Sequence, residues 1–445
     1  MKLYLNLFAK SLFAMVLLNA VSLNSAADSQ KILINNVSIF DGTNEEIVEN
    51  RSVLIHGDSI VEVSEAKETV PDEIRVIDAA NRVLMPGLID AHWHAFLAAT
   101  PFSNIYKAKT SYLHLVAAEE ARKTLMRGVT TVRDVGGPVF GLKRAIDQGV
   151  TSGPRIYPSG AIVSQTSGHG DFRQANEAHP HFGGHHGPAA EIGFALIADG
   201  VAEVKAAVRE QLKNGAAHIK LMAGGGVSSE YDPLDVTQYS IEELKAAVDS
   251  AEDWGTYVMV HAYTPRAVNR AIDAGVKVIE HGHLLDKKTL KRMAKKGVWL
   301  STQPFFECSD PLLSPEQNRK LSGVCEGSKK IYKMSNEVSG LKVAWGTDLL
   351  QSSDFSKLQV QKLVDLKAYY SSFELLKMAT GGNAELLGLT GKRNPYPKKL
   401  GVIQEGAYAD LLLVDGNPME SIELLADKEN LLMIVKNGIV YKNTL

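Results

Sequence analysis

Two histidines, His92 and His94, constrain this chain more than any other feature of its sequence. They follow the apolar run Leu84-Met85-Pro86-Gly87-Leu88-Ile89-Asp90-Ala91 and are spaced i, i+2. On an extended strand this spacing points both side chains to one face, because side chains alternate with period two. Two imidazoles at a strand end make half of a metal site. A pair of surface histidines in a loop would have the same spacing, so the rest of the chain must supply further ligands.

The middle of the chain alternates short apolar strands with helical stretches, which is the pattern of parallel βα units. One helix is predicted over 202–214 and ends at Gly215, and another opens with a capping box from Ser240 to Glu243. Eight strands are predicted, at 84–92, 128–134, 155–159, 218–222, 256–261, 276–281, 298–301 and 342–346. Eight strands close a (β/α)8 barrel, so the predicted fold class is α/β with a TIM-like barrel.

Both ends of the chain are rich in β pattern instead. Hairpins are predicted through the turns Gly57-Asp58 and Asn437-Gly438. We expect one small β-sandwich domain built from both ends, 28–86 and 396–445, flanking a barrel over 87–395.

Composition sets the broad class. The chain has 445 residues, of which 45% are hydrophobic and 22% are charged, and its formal net charge is −3. This balance is typical of a globular protein with more than one domain, and the lack of a basic patch argues against a nucleic-acid partner.

The first 27 residues predict a secretory signal peptide. Lys2 and Lys10 precede the apolar stretch 11–18, and Ser25-Ala26-Ala27 provides small residues for cleavage. We expect a secreted or periplasmic protein without membrane association once the signal is removed; a short N-terminal membrane anchor is the alternative. The two cysteines, Cys308 and Cys325, could pair in an oxidising compartment or remain as two free thiols.

Ligand-type residues recur at the ends of the predicted strands, where barrel enzymes carry their active sites. Lys220 stands out, because a lysine within an apolar strand is almost never buried without a partner. The candidate metal ligands are His92, His94, Lys220, His261, His281 and Asp348.

This set resembles the binuclear-metal set of the amidohydrolase superfamily, and the resemblance spans essentially the whole chain after the signal. It implies two divalent ions, usually Zn²⁺, bridged by an N6-carboxylated Lys220, and a homo-oligomer. The motifs Gly153-Pro154-Arg155-Ile156, Thr166-Ser167-Gly168-His169-Gly170-Asp171 and His261-Ala262-Tyr263-Thr264 are similar to those of the imidazolonepropionase-related, prolidase-like branch.

Members of that branch release a C-terminal amino acid from dipeptides or N-acyl amino acids. The resemblance therefore implies a hydrolase of C–N bonds in small amide or peptide substrates. The runs Ala91-His92-Trp93-His94-Ala95 and Ala262-Tyr263-Thr264-Pro265-Arg266-Ala267 also resemble bacterial ochratoxin amidohydrolases, which implies that aromatic amides such as ochratoxin A are possible substrates. The expected reaction is attack of a metal-bridging hydroxide on the amide carbonyl, with Asp348 as the catalytic proton carrier to the leaving amine.

Substrate contacts are expected from three further residues. The resemblance implies that Tyr231 binds the substrate's carbonyl or carboxylate, and that His169 polarises the carbonyl or holds the carboxylate. His283, two residues past His281, is expected to line the pocket, and Trp93 and Phe96 to shape an aromatic-tolerant wall. The Gly- and His-rich segment 165–187 is predicted to be a long loop, a solvated lid rather than a metal store.

Other functions remain open from the sequence. Lactonase or phosphotriesterase activity would use the same metals. Deaminases and mononuclear cyclic-amide hydrolases generally lack the bridging lysine, so Lys220 separates them from the expected class. A non-catalytic, metal-binding assembly protein would be marked by lost ligands, and here all six positions are filled.

Overall fold

Eighteen strands make up the β structure of the part of the chain that the computed structural model describes, residues 31–445. The predicted signal segment lies outside the described residues. In chain order the strands are β1 (Ile32–Ile39), β2 (Val48–His56), β3 (Ser59–Glu65), β4 (Arg75–Asp78), β5 (Val83–Pro86), β6 (Leu88–Trp93), β7 (Val129–Asp134), β8 (Arg155–Pro158), β9 (Ile162–Ser164), β10 (Ala195–Ile197), β11 (Ile219–Met222), β12 (Val258–Ala262), β13 (Val278–His281), β14 (Trp299–Thr302), β15 (Val343–Trp345), β16 (Leu411–Val414), β17 (Leu431–Lys436) and β18 (Ile439–Asn443).

The helices follow the strands of the middle region for the most part. They are α1 (Phe102–Lys107), α2 (Thr110–Met126), α3 (Phe140–Asp147), α4 (Pro188–Glu191), α5 (Gly200–Lys213), α6 (Ile241–Asp253), α7 (Pro265–Ala274), α8 (Lys287–Lys296), α9 (Pro315–Asn336), α10 (Ser353–Ser356), α11 (Gln361–Val364), α12 (Ser372–Lys377) and α13 (Asn383–Gly388). Short 3₁₀ turns lie at Pro180–Phe182, Asp365–Ala368, Gly391–Arg393, Ile422–Ala426 and Lys428–Asn430, and a π-helical turn at Met378–Gly382.

Strands from both ends of the chain pair in one sheet, which we call the terminal sheet. Its order is β18-β17-β16-β5-β1-β2-β3, with β4 beside β1. The two ends meet where β5 pairs antiparallel with β16, Met85 opposite Leu412. Alternate residues of these strands, such as Ile34, Val53 and Leu413, pack in a separate buried cluster. The eight strands form one hydrogen-bonded sheet, so the expected two-sheet sandwich is not confirmed.

The middle of the chain forms two parallel sheets, β6-β7-β8 and β10-β9-β11-β12-β13-β14-β15. All eight strands predicted for this region are present, and β9 and β10 are additional. Strands β11 to β14 are buried along their whole length, as expected for parallel strands covered on both faces. The fold is therefore α/β, with sheets of parallel strands.

Gly87 divides the strand predicted over 84–92 into β5 and β6. A Cβ at this position would lie 2.1 Å from Thr130 Oγ1, so only glycine permits the close approach to β7. The Gly87 amide donates to Asp410 O of the terminal sheet, and the Leu88 amide donates to Gly128 O before β7. The chain thus passes from the terminal sheet into the parallel sheets at one residue.

Hydrogen bonds also connect the edges of the two parallel sheets. The Asn383 side chain donates to Ile89 O on β6 and to Trp345 O on β15, each at 2.7 Å. At the other edge, the Ala217 amide before β11 donates to Pro158 O on β8 at 2.8 Å. These bonds join β6 to β15 and β8 to the segment that precedes β11.

Cys308 and Cys325 form a disulfide that joins the segment after β14 to α9. Pairing was one of two alternatives open from the sequence. A search of the described residues found no helix that is both long and apolar enough to cross a membrane.

Candidate active site

All six predicted metal ligands line a single cavity of about 490 Å³. His92 lies on β6 with His94 just beyond it, Lys220 lies on β11, and His261 on β12. His281 is the last residue of β13, and Asp348 follows β15. The parallel register brings these strand ends together. His92 and Asp348, for example, meet in the cavity although they are 256 positions apart in the sequence. The metal-ligating role of the set stays a prediction.

His92, His94 and Asp348 are close enough for their side chains to share one cation. The Nε2 atoms of both histidines lie 3.4 Å from Asp348 Oδ1. His281 Nδ1 lies 3.9 Å from the other carboxylate oxygen, Oδ2. Burial opposes ionisation of Asp348, but His92 and His94 outweigh it and hold the pKa of this carboxyl well below its usual range.

The histidine rings are oriented by hydrogen bonds on the side away from the cavity. His92 Nδ1 donates to Glu280 Oε2 at 2.6 Å, and His94 Nδ1 donates to Gly136 O at 3.1 Å. His261 Nε2 donates to Gly225 O at 3.0 Å. Each ring therefore keeps its second nitrogen, with its lone pair, for a cation, which is the usual arrangement of metal-binding histidines.

Three buried polar atoms at this position, His92 Nε2, His281 Nδ1 and Asp348 Oδ1, have no hydrogen-bond partner within residues 31–445. Leaving such atoms unsatisfied costs about 1–3 kcal/mol each. These atoms offer two nitrogen lone pairs and a carboxylate oxygen, and no hydrogen-bond donor of the described residues occupies them. A divalent cation requires ligands of this kind. The residues present therefore fit a metal, and a His92–His94–Asp348 site is present.

Lys220 is 1% exposed, and its ammonium makes no hydrogen bond or ion pair with any residue that the structure describes. Burial lowers the pKa of its ammonium to about 8, a shift that Glu280 and Asp348 partly oppose. Burial also lowers the pKa values of His261 and His281 well below their usual range, so both rings are neutral and able to bind a cation.

A buried ion pair that the sequence reasoning missed lies beneath the site. Glu280 Oε1 accepts from Arg133 Nη2 at 2.6 Å, while its Oε2 accepts from His92. Burial would raise the pKa of Glu280, but Arg133 and His92 lower it to about 2. Both residues lie within buried strands, and a charge inside an apolar strand is the same sequence signal that marks Lys220.

The three predicted substrate residues lie in different surroundings. His169 is buried, lines the cavity and stacks on His261 with ring centroids 4.2 Å apart. Tyr231 is 45% exposed and His283 is buried. Neither side chain is among the residues of the described chain that line the cavity. His283 Nε2 donates to Gln303 O at 2.8 Å. His283 was expected to share a face with His281, because side chains alternate along a strand. This expectation does not apply, because β13 ends at His281 and the next residue, Gly282, has a φ of +65°.

The aromatic wall of the cavity comes from residues other than those expected. Trp93 and Phe96 are buried in the core and do not belong to the described lining, so that expectation is wrong. Phe102, Phe172 and Phe194 line the cavity in their place. The centroid of the Phe172 ring lies 6.1 Å from that of Phe102 and 5.4 Å from that of Phe194. These residues belong to loops and short helices, where sequence periodicity carries little information about direction.

The cavity at the carboxyl ends of these parallel strands, lined by histidines and a carboxylate, lies where α/β enzymes carry their active sites. The amidohydrolase family model matches residues 83–440. The chain belongs to this family and is a hydrolase of amide or peptide bonds.

Relatives and solved structures cover nearly the whole chain. Ochratoxinase from Aspergillus niger is 30% identical over 95% of this chain and 91% of its own length. A solved amidohydrolase is 35% identical with a TM-score of 0.85, covering 93% of this chain and 100% of its own. A solved prolidase complexed with N-methylphosphonate-L-proline is 33% identical with the same TM-score and the same coverage.

Proposed function

We propose that this protein is a binuclear-metal amidohydrolase that releases a C-terminal amino acid from dipeptides or N-acyl amino acids. The observation that carries the proposal is the cavity itself, where five predicted ligands meet the sixth, the buried Lys220, whose ammonium has no hydrogen-bond partner among the described residues. The relatives named prolidase and ochratoxinase support amide bonds of this kind as substrates.

Lys220 is the residue on which a second metal ion depends. A pKa lowered to about 8 leaves part of the amine neutral near neutral pH. A neutral amine adds to CO2 and releases a proton, which gives a carbamate with two oxygen ligands. We propose that Lys220, carboxylated in this way, would hold two divalent ions, usually zinc in this family, together with His92, His94, His261, His281 and Asp348.

Two divalent ions in this position would supply a hydroxide near neutral pH and a Lewis acid for the scissile carbonyl. Asp348 carries the proton. Because its pKa is held well below the usual range, the side chain is a carboxylate that accepts the proton of the attacking water and delivers it to the leaving amine. His169, on the wall of the same cavity, contacts the substrate at its carbonyl or carboxylate, and Tyr231 is proposed to bind the carbonyl or the carboxylate.

The wall of the cavity supports apolar and aromatic substrates. Besides the three phenylalanines described above, the lining includes Phe305, Leu97, Ile162, Met222 and Leu350. Burying an aromatic group against such a wall is favourable by about 1.5–3 kcal/mol. We propose that acyl amino acids with an aromatic part, including aromatic amides such as ochratoxin A, are among the substrates.

The larger organisation supports a barrel enzyme. We propose that the two parallel sheets form one closed eight-stranded barrel over 87–395, supported by the Asn383 and Ala217 hydrogen bonds at the sheet edges, with the terminal sheet as a second domain. We further propose an exported homo-oligomer; the disulfide between Cys308 and Cys325 supports an oxidising compartment.

Metal analysis of the purified protein combined with a substrate panel tests this function. The panel contains N-acyl amino acids with aromatic and aliphatic acyl groups, Xaa-Pro dipeptides, a lactone and a phosphotriester. We expect amide cleavage with release of the free amino acid, lost on chelation and restored by Zn²⁺. Activity on the lactone or phosphotriester alone would contradict the proposal, as would a protein without metal or amide cleavage.

A further inference from the structure

The His169 ring is fixed by a carboxylate from the loop 226–232. His169 Nδ1 lies 3.2 Å from Asp232 Oδ2 and 2.6 Å from Ser229 Oγ, and the Ser229 hydroxyl donates to Asp232. Asp232 is ionised and only accepts, because burial is outweighed by its contacts to His169 and Ser229, which lower its pKa. The Ser229 hydroxyl has one proton, which it donates to Asp232, so His169 Nδ1 must be the donor in its hydrogen bond with Ser229 Oγ. Nε2 is the nitrogen left on the cavity side.

Close packing fixes the plane of the His169 ring. A Cβ on Gly226 would lie 1.9 Å from His169 Cε1, so the ring rests directly on the Gly226 backbone. The opposite face stacks on His261. The His169 amide donates to Gln238 Oε1 at 3.0 Å, which fixes the backbone as well. Both the plane of the ring and the direction of Nε2 are therefore set by the protein.

Lys320 of α9 fixes the loop that carries Asp232. It is 6% exposed, and its ammonium donates to three carbonyl oxygens of the loop, those of Gly226, Ser229 and Asp232, at 3.2, 3.0 and 2.8 Å. An ammonium has three N–H donors, and all three are used. Its nitrogen also lies 4.0 Å from Asp232 Oδ1. Lys320 thereby anchors the loop to α9.

We propose that Asp232 and Lys320 are positioning residues that set the orientation of His169 for its contact with the substrate. Asp232 acts on the ring directly, and Lys320 acts by holding the loop. The inference rests on the proposed function, because His169 has a substrate to contact only if this cavity is the active site. Neither residue touches the six predicted metal ligands in a recorded hydrogen bond or ion pair.

A double-mutant cycle tests this dependence. Asp232→Asn is introduced into the wild-type protein and into His169→Gln, and kcat and KM are measured on the best amide of the panel. We expect Asp232→Asn alone to lower kcat/KM at least about tenfold, through the same parameter that His169→Gln changes. In the His169→Gln background it should have less than about a twofold further effect. Additive effects, or unchanged kinetics in Asp232→Asn, would overturn the proposal.

A matched control separates positioning from the general cost of a buried lysine. Lys320→Met is compared with Lys436→Met, because Lys436 is also buried, 4% exposed, but lies on β17 of the terminal sheet. Lys320→Met loses three hydrogen bonds and should melt earlier than wild type, and only this variant should change kinetics in the manner of His169→Gln. Equal kinetics in the two lysine variants would contradict the role of Lys320. Metal content should be unchanged in both.

Crystal structures of wild type and Asp232→Asn provide a readout that does not depend on turnover. In Asp232→Asn the His169 ring should rotate or occupy more than one orientation, whereas in wild type it should be single. An unmoved, single ring would overturn the positioning role even if the enzyme is active. A moved ring in a protein that cleaves no amide would instead count against the proposed function.

Discussion

His281 and Asp348 present their side chains to the cavity from backbones with positive φ, +74° and +50°. This region is uncommon for residues other than glycine and costs of order 1–3 kcal/mol at such positions. Both residues lie where a strand has just ended, and the turn in the backbone brings the two side chains towards each other. Strain at two ligand positions is consistent with a site whose geometry is maintained for function rather than for stability.

Asp348→Asn tests the proton carrier. The amide keeps the shape and one oxygen of the side chain but cannot accept a proton, so kcat should fall by about 10²–10⁴-fold or more. Metal content should stay largely intact, because the histidine ligands and Lys220 remain. Steady-state kinetics and elemental analysis of the same preparation measure both. Activity near the wild-type level would remove Asp348 from its catalytic role.

Glu280→Gln tests the ion pair beneath the site. The variant removes the negative charge that orients His92 and leaves Arg133 buried without a counter-ion, which costs about 3–5 kcal/mol. Loss of the orienting carboxylate should also weaken divalent-metal affinity by about 10–100-fold. Thermal melts and metal titration of the metal-free protein measure the two effects. A variant with the stability and the metal affinity of wild type would contradict this role of Glu280.

At the residue scale, the sequence was informative about which side chains carry chemistry and uninformative about what supports them. Lys220 was recognisable because a lone charge in an apolar strand needs an explanation. Asp232, Lys320 and Ser229 were not recognisable, because their roles depend on a contact between a loop and a helix some 90 residues further on. Spacing along the chain does not report such contacts.

At the scale of elements, local signals placed most boundaries well. The helix predicted over 202–214 is α5, Gly200–Lys213, and Gly215 has the positive φ, +101°, expected of a helix stop. The strand predicted over 84–92 was wrong in its continuity, because Gly87 ends β5 and begins a second sheet. The apolar run is unbroken there, so hydrophobicity alone could not locate the change of sheet.

Ser240→Ala tests the capping box at the start of α6. Ser240 accepts from the Glu243 amide, and Glu243 accepts from the Ser240 amide. Removing the hydroxyl should lower the free energy of unfolding by about 0.5–2 kcal/mol. Urea unfolding measures the change, and kcat and KM should not move, because the cap is exposed at the surface. A kinetic defect without a stability loss would contradict a purely local role.

At the scale of the whole molecule, Arg155 on β8 connects the parallel sheets to the terminal sheet. Its guanidinium donates to Asp410 Oδ2 at 2.8 Å and to Asn437 Oδ1 at 2.7 Å, and it stacks 3.7 Å from the centroid of Tyr408. The sequence predicted that both chain ends build one β unit. It did not predict this contact, because the ion pair joins positions 255 residues apart.

Acid should destabilise the metal-free protein through its buried histidines. Burial lowers the pKa of His283 to about 4, against an ordinary value near 6.5 in the unfolded chain. Between these values the unfolded state binds more protons, so stability is lost as the pH falls from about 6.5 towards 4, by up to about 3 kcal/mol for this group. His94, His261 and His281 shift in the same direction.

Urea unfolding of the metal-free protein between pH 4 and pH 8 measures this slope. His283→Gln keeps a donor for Gln303 O but does not titrate, so its stability should depend less steeply on pH. A variant with the wild-type pH dependence would show that His283 is already protonated, or accessible to protons, in the folded state.

The most direct test of the central claim is the metal content of wild type beside Lys220→Met. If five side chains and a carboxylated Lys220 hold a binuclear centre, wild-type protein should contain about two divalent ions per chain. Lys220→Met, which keeps the length of the side chain but cannot be carboxylated, should contain about one or fewer and lose amide cleavage. Fewer than about one ion per chain in wild type, or an unchanged content in Lys220→Met, would contradict the account.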